Sequence, residues 1–125
     1  GDPYRIIPTD GRPHRANANP SHYGDSVGKW DGDVFVVDVR NFVDDTWIGE
    51  DGYFHSPELH VTERLWKDGE NLVWQAVVED PGVLATRWVM PARLVKPSTE
   101  ALEESPKCVE TDGPKLLNDD HHGQR

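Results

Sequence analysis

The chain has 125 residues, enough for one domain and too few for a second independent core. Its 13 Lys and Arg against 23 Asp and Glu leave a net charge of −10, a field that repels nucleic-acid phosphates and anionic lipid alike. No run approaches the roughly 20 apolar residues of a membrane-spanning helix, and a lone cysteine, Cys108, excludes an internal disulfide and a CxxC-type zinc site.

Only 35% of the residues are hydrophobic, but five Trp, three Tyr and three Phe concentrate burial into a few large side chains. The chain starts at Gly1 with no Met, no basic segment and no apolar run behind it, so a mature or trimmed product is one reading. Tyr4 to Ile7 reads as a short strand. A long loop follows, marked by Asp10-Gly11, Pro13, Asn17, Asn19 and Pro20.

Ser26 to Trp30 and Asp33 to Arg40 are extended, β-branched runs around Asp31-Gly32, a strong hairpin signal. Residues 41–57 are too broken for a helix and read as a loop anchored by Trp47 and Tyr53-Phe54. Leu59 to Lys67 and Leu72 to Glu79 form a second hairpin around Asp68-Gly69. Asp80-Pro81-Gly82 turns the chain into a last strand, Thr86 to Met90 and Arg93 to Val95, which Pro91 interrupts as an edge or bulge. The expected fold is mainly β: five or six antiparallel strands in meander order, closing as a calycin-like or half-open β-barrel or a sandwich. Residues 1–96 form the β domain. Residues 97–125 are an acidic, polar C-terminal tail, irregular by composition, with at most one helical turn around Thr99 to Glu104.

Alternation places Leu59, Val61, Glu63 and Leu65 on one face of their strand and His60, Thr62, Arg64 and Trp66 on the other. Glu63 is thus a carboxylate in an apolar row. It either pairs with an arginine such as Arg40, Arg87 or Arg93, or sits in a closed interior as a general acid or base. Asp38 and Arg40 share a face and read as an exposed ion pair. His14 and His55 lie in loops near aromatics and arginines, where they could exchange protons or cap the surface. None of the six histidines has a spacing that fixes a metal, and no nucleophile-elbow or phosphate-loop motif occurs. Trp30, Trp47, Trp66, Trp74 and Trp88 either pack the core, line an apolar cavity or form a glycan-stacking surface.

Several segments then fall into a familiar order: Asp10-Gly11-Arg12-Pro13-His14, Gly24 to Asp33, His55-Ser56, Leu59 to Arg64 and Glu79-Asp80-Pro81, with Trp88 shortly after. Together, over residues 4–96, they resemble the motifs of an uncharacterised family of bacterial proteins whose members usually carry a secretion signal. The chain departs from that pattern at Asp31, where Glu is usual, at Asp33-Val34 in place of Asp-Thr, and in lacking the upstream segment. The resemblance implies a periplasmic or secreted location and supplies no activity. It also sets apart Arg12, His14, His55, His60 and Glu63 as polar residues within otherwise structural motifs.

Three functions remain open. The leading one is a non-catalytic binding protein holding an apolar or aromatic small molecule in a Trp-lined barrel, with Arg12 and the five tryptophans as ligand contacts. The second is an accessory subunit that meets other protein chains through its loops and residues 97–125. The third is a small lyase, isomerase or hydrolase using Glu63 with His14, His55 or His60. No cofactor is implied by any of them.

Overall fold

The computed structural model describes residues 4–48 and 51–103. Eight strands form within them: β1 (Asp25–Asp31), β2 (Val34–Arg40), β3 (Trp47–Ile48), β4 (Tyr53–Phe54), β5 (His60–Asp68), β6 (Asn71–Glu79), β7 (Trp88–Val89) and β8 (Arg93–Val95). Among the described residues there is no helix, and so none long and apolar enough to cross a membrane. Six strands make one antiparallel sheet in the order β1-β2-β5-β6-β7, with β8 also paired to β6, while β3 and β4 form a separate ribbon.

Both long hairpins use two-residue loops. Asp31 pairs with Val34 and Asp68 with Asn71, so Gly32-Asp33 and Gly69-Glu70 make the turns. Gly32 and Gly69 open these loops at φ 59° and 62°, while Asp33 and Glu70 keep negative φ. Glycine first with positive φ is the type II′ pattern, whose twist matches the flanking strands. The turns therefore lie one residue later than the Asp-Gly pairs suggest, and both aspartates are the last rungs of their ladders. The last strand is broken as Pro91 requires: β7 and β8 pair with β6 in registers that differ by one residue, with Met90 N–H donating to Ala76 O between them. Pro91 is the extra residue of a bulge.

Cross-strand partners share a face, and the register gives one face Ser26, Gly28, Val37, Val39, Val61, Glu63, Leu65, Trp74, Ala76 and Val78. That face holds the core: Val37 and Val39 are 1% exposed, and Leu59, Ala76 and Val78 are buried with them. The segment Tyr4 to Pro8 covers part of it but is not the expected strand. Pro8 has no N–H to continue a ladder, and its carbonyl takes one bond, from Gly28 N–H at 2.9 Å. Gly28 makes room for that cover, since a Cβ there would lie 2.6 Å from the Phe35 ring and 2.9 Å from Ile7 Cγ2. Residues 41–57, expected as a loop, contain the β3–β4 ribbon. Residues 97–103 are exposed and irregular, and the rest of the tail, with Glu104 and Cys108, lies outside the described residues.

The sheet is open. Strand β1 ends it on one side and β7 with β8 on the other, and no pairing among the described residues joins these edges into a closed barrel.

Candidate functional site

The antiparallel order puts both tight turns at one end of the sheet. The opposite end gathers Asp25, Asp38, Arg40, His60 and Glu79 on the face away from the core. The loop before β1 adds His14 and Arg15. His14 Nδ1 lies 2.8 Å from Asp25 Oδ2 and its Nε2 lies 2.6 Å from Asp38 Oδ1. The second oxygen of Asp38 takes His60 Nε2 at 2.6 Å, and Arg15 Nε donates to Asp25 Oδ1 at 2.6 Å. Arg40 Nε reaches Asp38 Oδ1 at 3.3 Å, so the expected Asp38–Arg40 pair exists as one arm of a longer row.

Both ring nitrogens of His14 face carboxylate oxygens, which only accept, so the ring donates twice and is an imidazolium. Burial works against that charge, but the hydrogen bonds to Asp38 and Asp25 outweigh it and raise the His14 pKa above its ordinary 6.5. Burial likewise opposes the Asp38 and Asp25 charges. Bonds from His60 and His14 to Asp38, and from Arg15 and His14 to Asp25, still hold both carboxyls below the usual range. The row is a clasp that ties the segment before β1 to three strands.

The sign of its pH dependence follows. A raised histidine pKa gives stability that is complete below about 6.5 and is lost as pH rises through the folded value. His14 is one-quarter exposed, so solvent screening trims the charge-assisted bonds to about 1 kcal/mol. Denaturant titrations should show the protein losing that amount as pH rises above about 6.5, with His14→Gln removing the slope. Parallel pH profiles for the two proteins would sink the clasp.

The other candidate groups are placed apart. Glu63 lies on the core face, its side chain 10% exposed, with Oε2 2.8 Å from Arg5 Nη2; its Oε1 accepts from Arg5 Nη2 and Trp74 Nε1, both at 3.1 Å. The Oε2 contact is an ion pair without hydrogen-bond geometry. The arginine is Arg5, not Arg40, Arg87 or Arg93. Arg40 is on the opposite face of the sheet, and Arg93 lies over the Trp74 ring at 5.9 Å. His55 is buried, donates from Nδ1 to Ser56 O at 3.0 Å, takes the Thr46 hydroxyl at Nε2 at 2.8 Å and meets Phe42 edge-on.

Only His14 and His60 therefore share a partner, and neither Glu63 nor His55 joins them. Sequence reasoning missed Arg5, Asp25, Ser56 and Asp80. A charged residue opening a strand (Asp25) and an Asp-Pro-Gly turn (Asp80) were the available signals.

The tryptophans divide in the same way. Trp30 and Trp66 line a groove of about 920 Å³ at the two-turn end, with Val34, Phe35, Leu65, Leu72 and a rim of Asp33, Arg64, Lys67 and Gln75. Trp88 lines a second groove of about 430 Å³ with Ile48, Tyr53, Phe54, Val83 and Leu84, beside the exposed Trp47 of β3. Trp74 covers Glu63. Arg12 belongs to a third groove, of about 330 Å³, near the start of β1. Neither Glu63 nor His14, His55 or His60 lines any of the three grooves. Compared with family models, with curated proteins and with solved structures, the chain matches none.

Proposed function

We propose that the protein is a non-catalytic binding module that takes the flat face of an apolar or aromatic small molecule in the groove at the two-turn end. The carrying observation is Trp30. It is 67% exposed yet held at a 5.1 Å ring separation against Phe35, tilted by 41°, on the groove wall. An aromatic ring kept in water by a ring beneath it is a prepared contact surface, and exposed apolar patches of this kind mark binding sites. The ligand would lie against the end of an open sheet, since no closed barrel forms among the described residues.

Binding is favoured over catalysis by separation. Asp25, in the histidine row, and Trp30 stand at opposite ends of β1, five residues and roughly 16 Å apart at about 3.3 Å per residue. A molecule on Trp30 is out of hydrogen-bond reach of His14 and His60.

A neutral fluorescent apolar probe, 1-aminoanthracene, tests the reading. It should bind saturably, and Trp30→Ala should weaken it roughly tenfold, as loss of one stacked aromatic wall implies. Trp47→Ala should change nothing. Equal weakening by the two variants, or no saturable binding, would sink the proposal.

The exposed Trp47, Tyr53, Phe54 and Trp88 support a second reading, an accessory subunit docked on another chain through its loops. In that case Tyr53→Glu with Phe54→Glu would abolish co-elution with the partner while leaving probe binding intact.

A further inference from the structure

We infer that the third groove, lined by Arg5, Arg12, Arg15, Tyr4 and Tyr23, is a binding site for a small oxyanion, a carboxylate or phosphate, carried on a flat ring. A chain of net charge −10 has few places that attract an anion, and here three guanidiniums and only one carboxylate, Asp25, line one hollow.

Each arginine is anchored by part of its donor set. Arg12 spends Nε and Nη2 on Asp10, Arg15 spends Nε on Asp25, and Arg5 spends Nη2 on Glu63. That leaves Arg12 Nη1, Arg5 Nε and Nη1, and both terminal nitrogens of Arg15 without hydrogen-bond partners among the described residues. Guanidiniums pinned by carboxylates lose little further freedom on meeting a ligand, and the open Arg15 fork matches the spacing of two oxyanion oxygens. The Arg12 hydrogen bonds hold the Asp10 carboxyl down at about 2, so that anchor stays charged across the working range.

The walls define the rest of the ligand. Tyr4 and Tyr23 are 65% and 56% exposed and line the groove beside Ile6, Pro8 and Pro13. Exposed phenol rings next to guanidiniums suit an aromatic or otherwise planar body with its charge at one end. A volume of about 330 Å³ is at the low end of small-molecule pockets.

Calorimetric titration of the full chain at low salt, with inorganic phosphate and with phenyl phosphate, tests this. Both should bind at one saturable site, phenyl phosphate more tightly. Arg12→Gln and Arg15→Gln should each weaken both roughly tenfold, the loss of one charge-assisted contact. Tyr4→Ala should erase the preference for the phenyl compound and leave phosphate binding in place. Arg12 makes only exposed contacts with Asp10, so its variant reports on the ligand and not on folding. The site is refuted if neither anion saturates, if the two arginine variants bind like the parent, or if equal ionic strength of sodium chloride abolishes all binding. Trp30→Ala, which tests the larger groove, should leave both titrations unchanged, so the two sites fail separately.

Discussion

Arg5→Ala is expected to remove roughly 3 kcal/mol of folding stability, because it leaves the Glu63 carboxylate in the core without its cation. The Glu63 side chain is 10% exposed and that of Arg5 is 31% exposed, so the penalty falls on the carboxylate while the arginine end is already partly hydrated. That puts the loss toward the lower end of the range for broken buried pairs. For a domain of about this size it corresponds to a fall in Tm of at least about 12 °C. The double variant Arg5→Leu, Glu63→Gln should regain most of the loss, since a neutral amide still offers Trp74 Nε1 an acceptor and carries no charge to desolvate. Glu63→Gln alone should be milder than Arg5→Ala. Urea titrations of the four proteins decide it: an Arg5→Ala cost below about 1 kcal/mol would mean that water reaches Glu63 and that residues 4–8 do not close the core face.

The strands were legible because their signals are local. Alternation put Asp38 and Arg40 on one face, and that is how they pair with β1 and β5, Val37 and Val39 lying on the other. Pro91 announced the break between β7 and β8 because a residue without an N–H cannot sit in a ladder. The turn positions were off by one, since the glycine that needs positive φ occupies the first loop place and drives the aspartate before it into the strand.

What stayed hidden is long-range. Arg5 and Glu63 are 58 residues apart and His14 and Asp38 are 24 apart, and no periodicity connects positions across a loop. The tryptophans looked like one lining because sequence gives no register between strands. Register sends Trp74 to the core face over Glu63 and leaves Trp47 on the short ribbon.

Placed on the sheet, the polar residues of the sequence motifs act mostly as joints. His14 bridges to Asp25 and Ser56 to Asp80, each a pairing between two motifs, while Glu63 and His60 find Arg5 and Asp38 outside them. Among the described residues only five apolar side chains are buried, so charged clasps between segments supplement a small core. Arg15 and Asp25 of the histidine row line the arginine-lined groove, and Val83 and Leu84 of the Trp88 groove donate their N–H groups to the Asp80 carbonyl.

The Asp80 joint makes this concrete. Asp80 is 2% exposed; its Oδ2 accepts from Ser56 N–H at 2.6 Å, and its Oδ1 accepts from the Ser56 hydroxyl and from Gly82 N–H at 3.1 Å. Burial opposes its charge, but the Ser56 bonds outweigh it and keep the carboxyl below its usual 3.8. Asp80→Ala should cost about 2–3 kcal/mol, because the two backbone donors lose a charged acceptor. Asp80→Asn should cost about 1 kcal/mol or more, since an amide turns one N–H toward Ser56 N–H or Gly82 N–H in either orientation. A lowered carboxyl pKa gives stability that is present above about 3.8 and is lost as pH falls through the folded value, so both variants should flatten the acid limb of the stability curve. The same joint ties the loop after β4 to the turn before β7, which carry Phe54 and Trp88 on one groove wall. Amide exchange at Ser56 and Gly82 should therefore accelerate in Asp80→Ala far more than exchange at Val37 in the central sheet. Uniform acceleration at all three amides would show that Asp80 acts on global stability alone and does not hold that groove together.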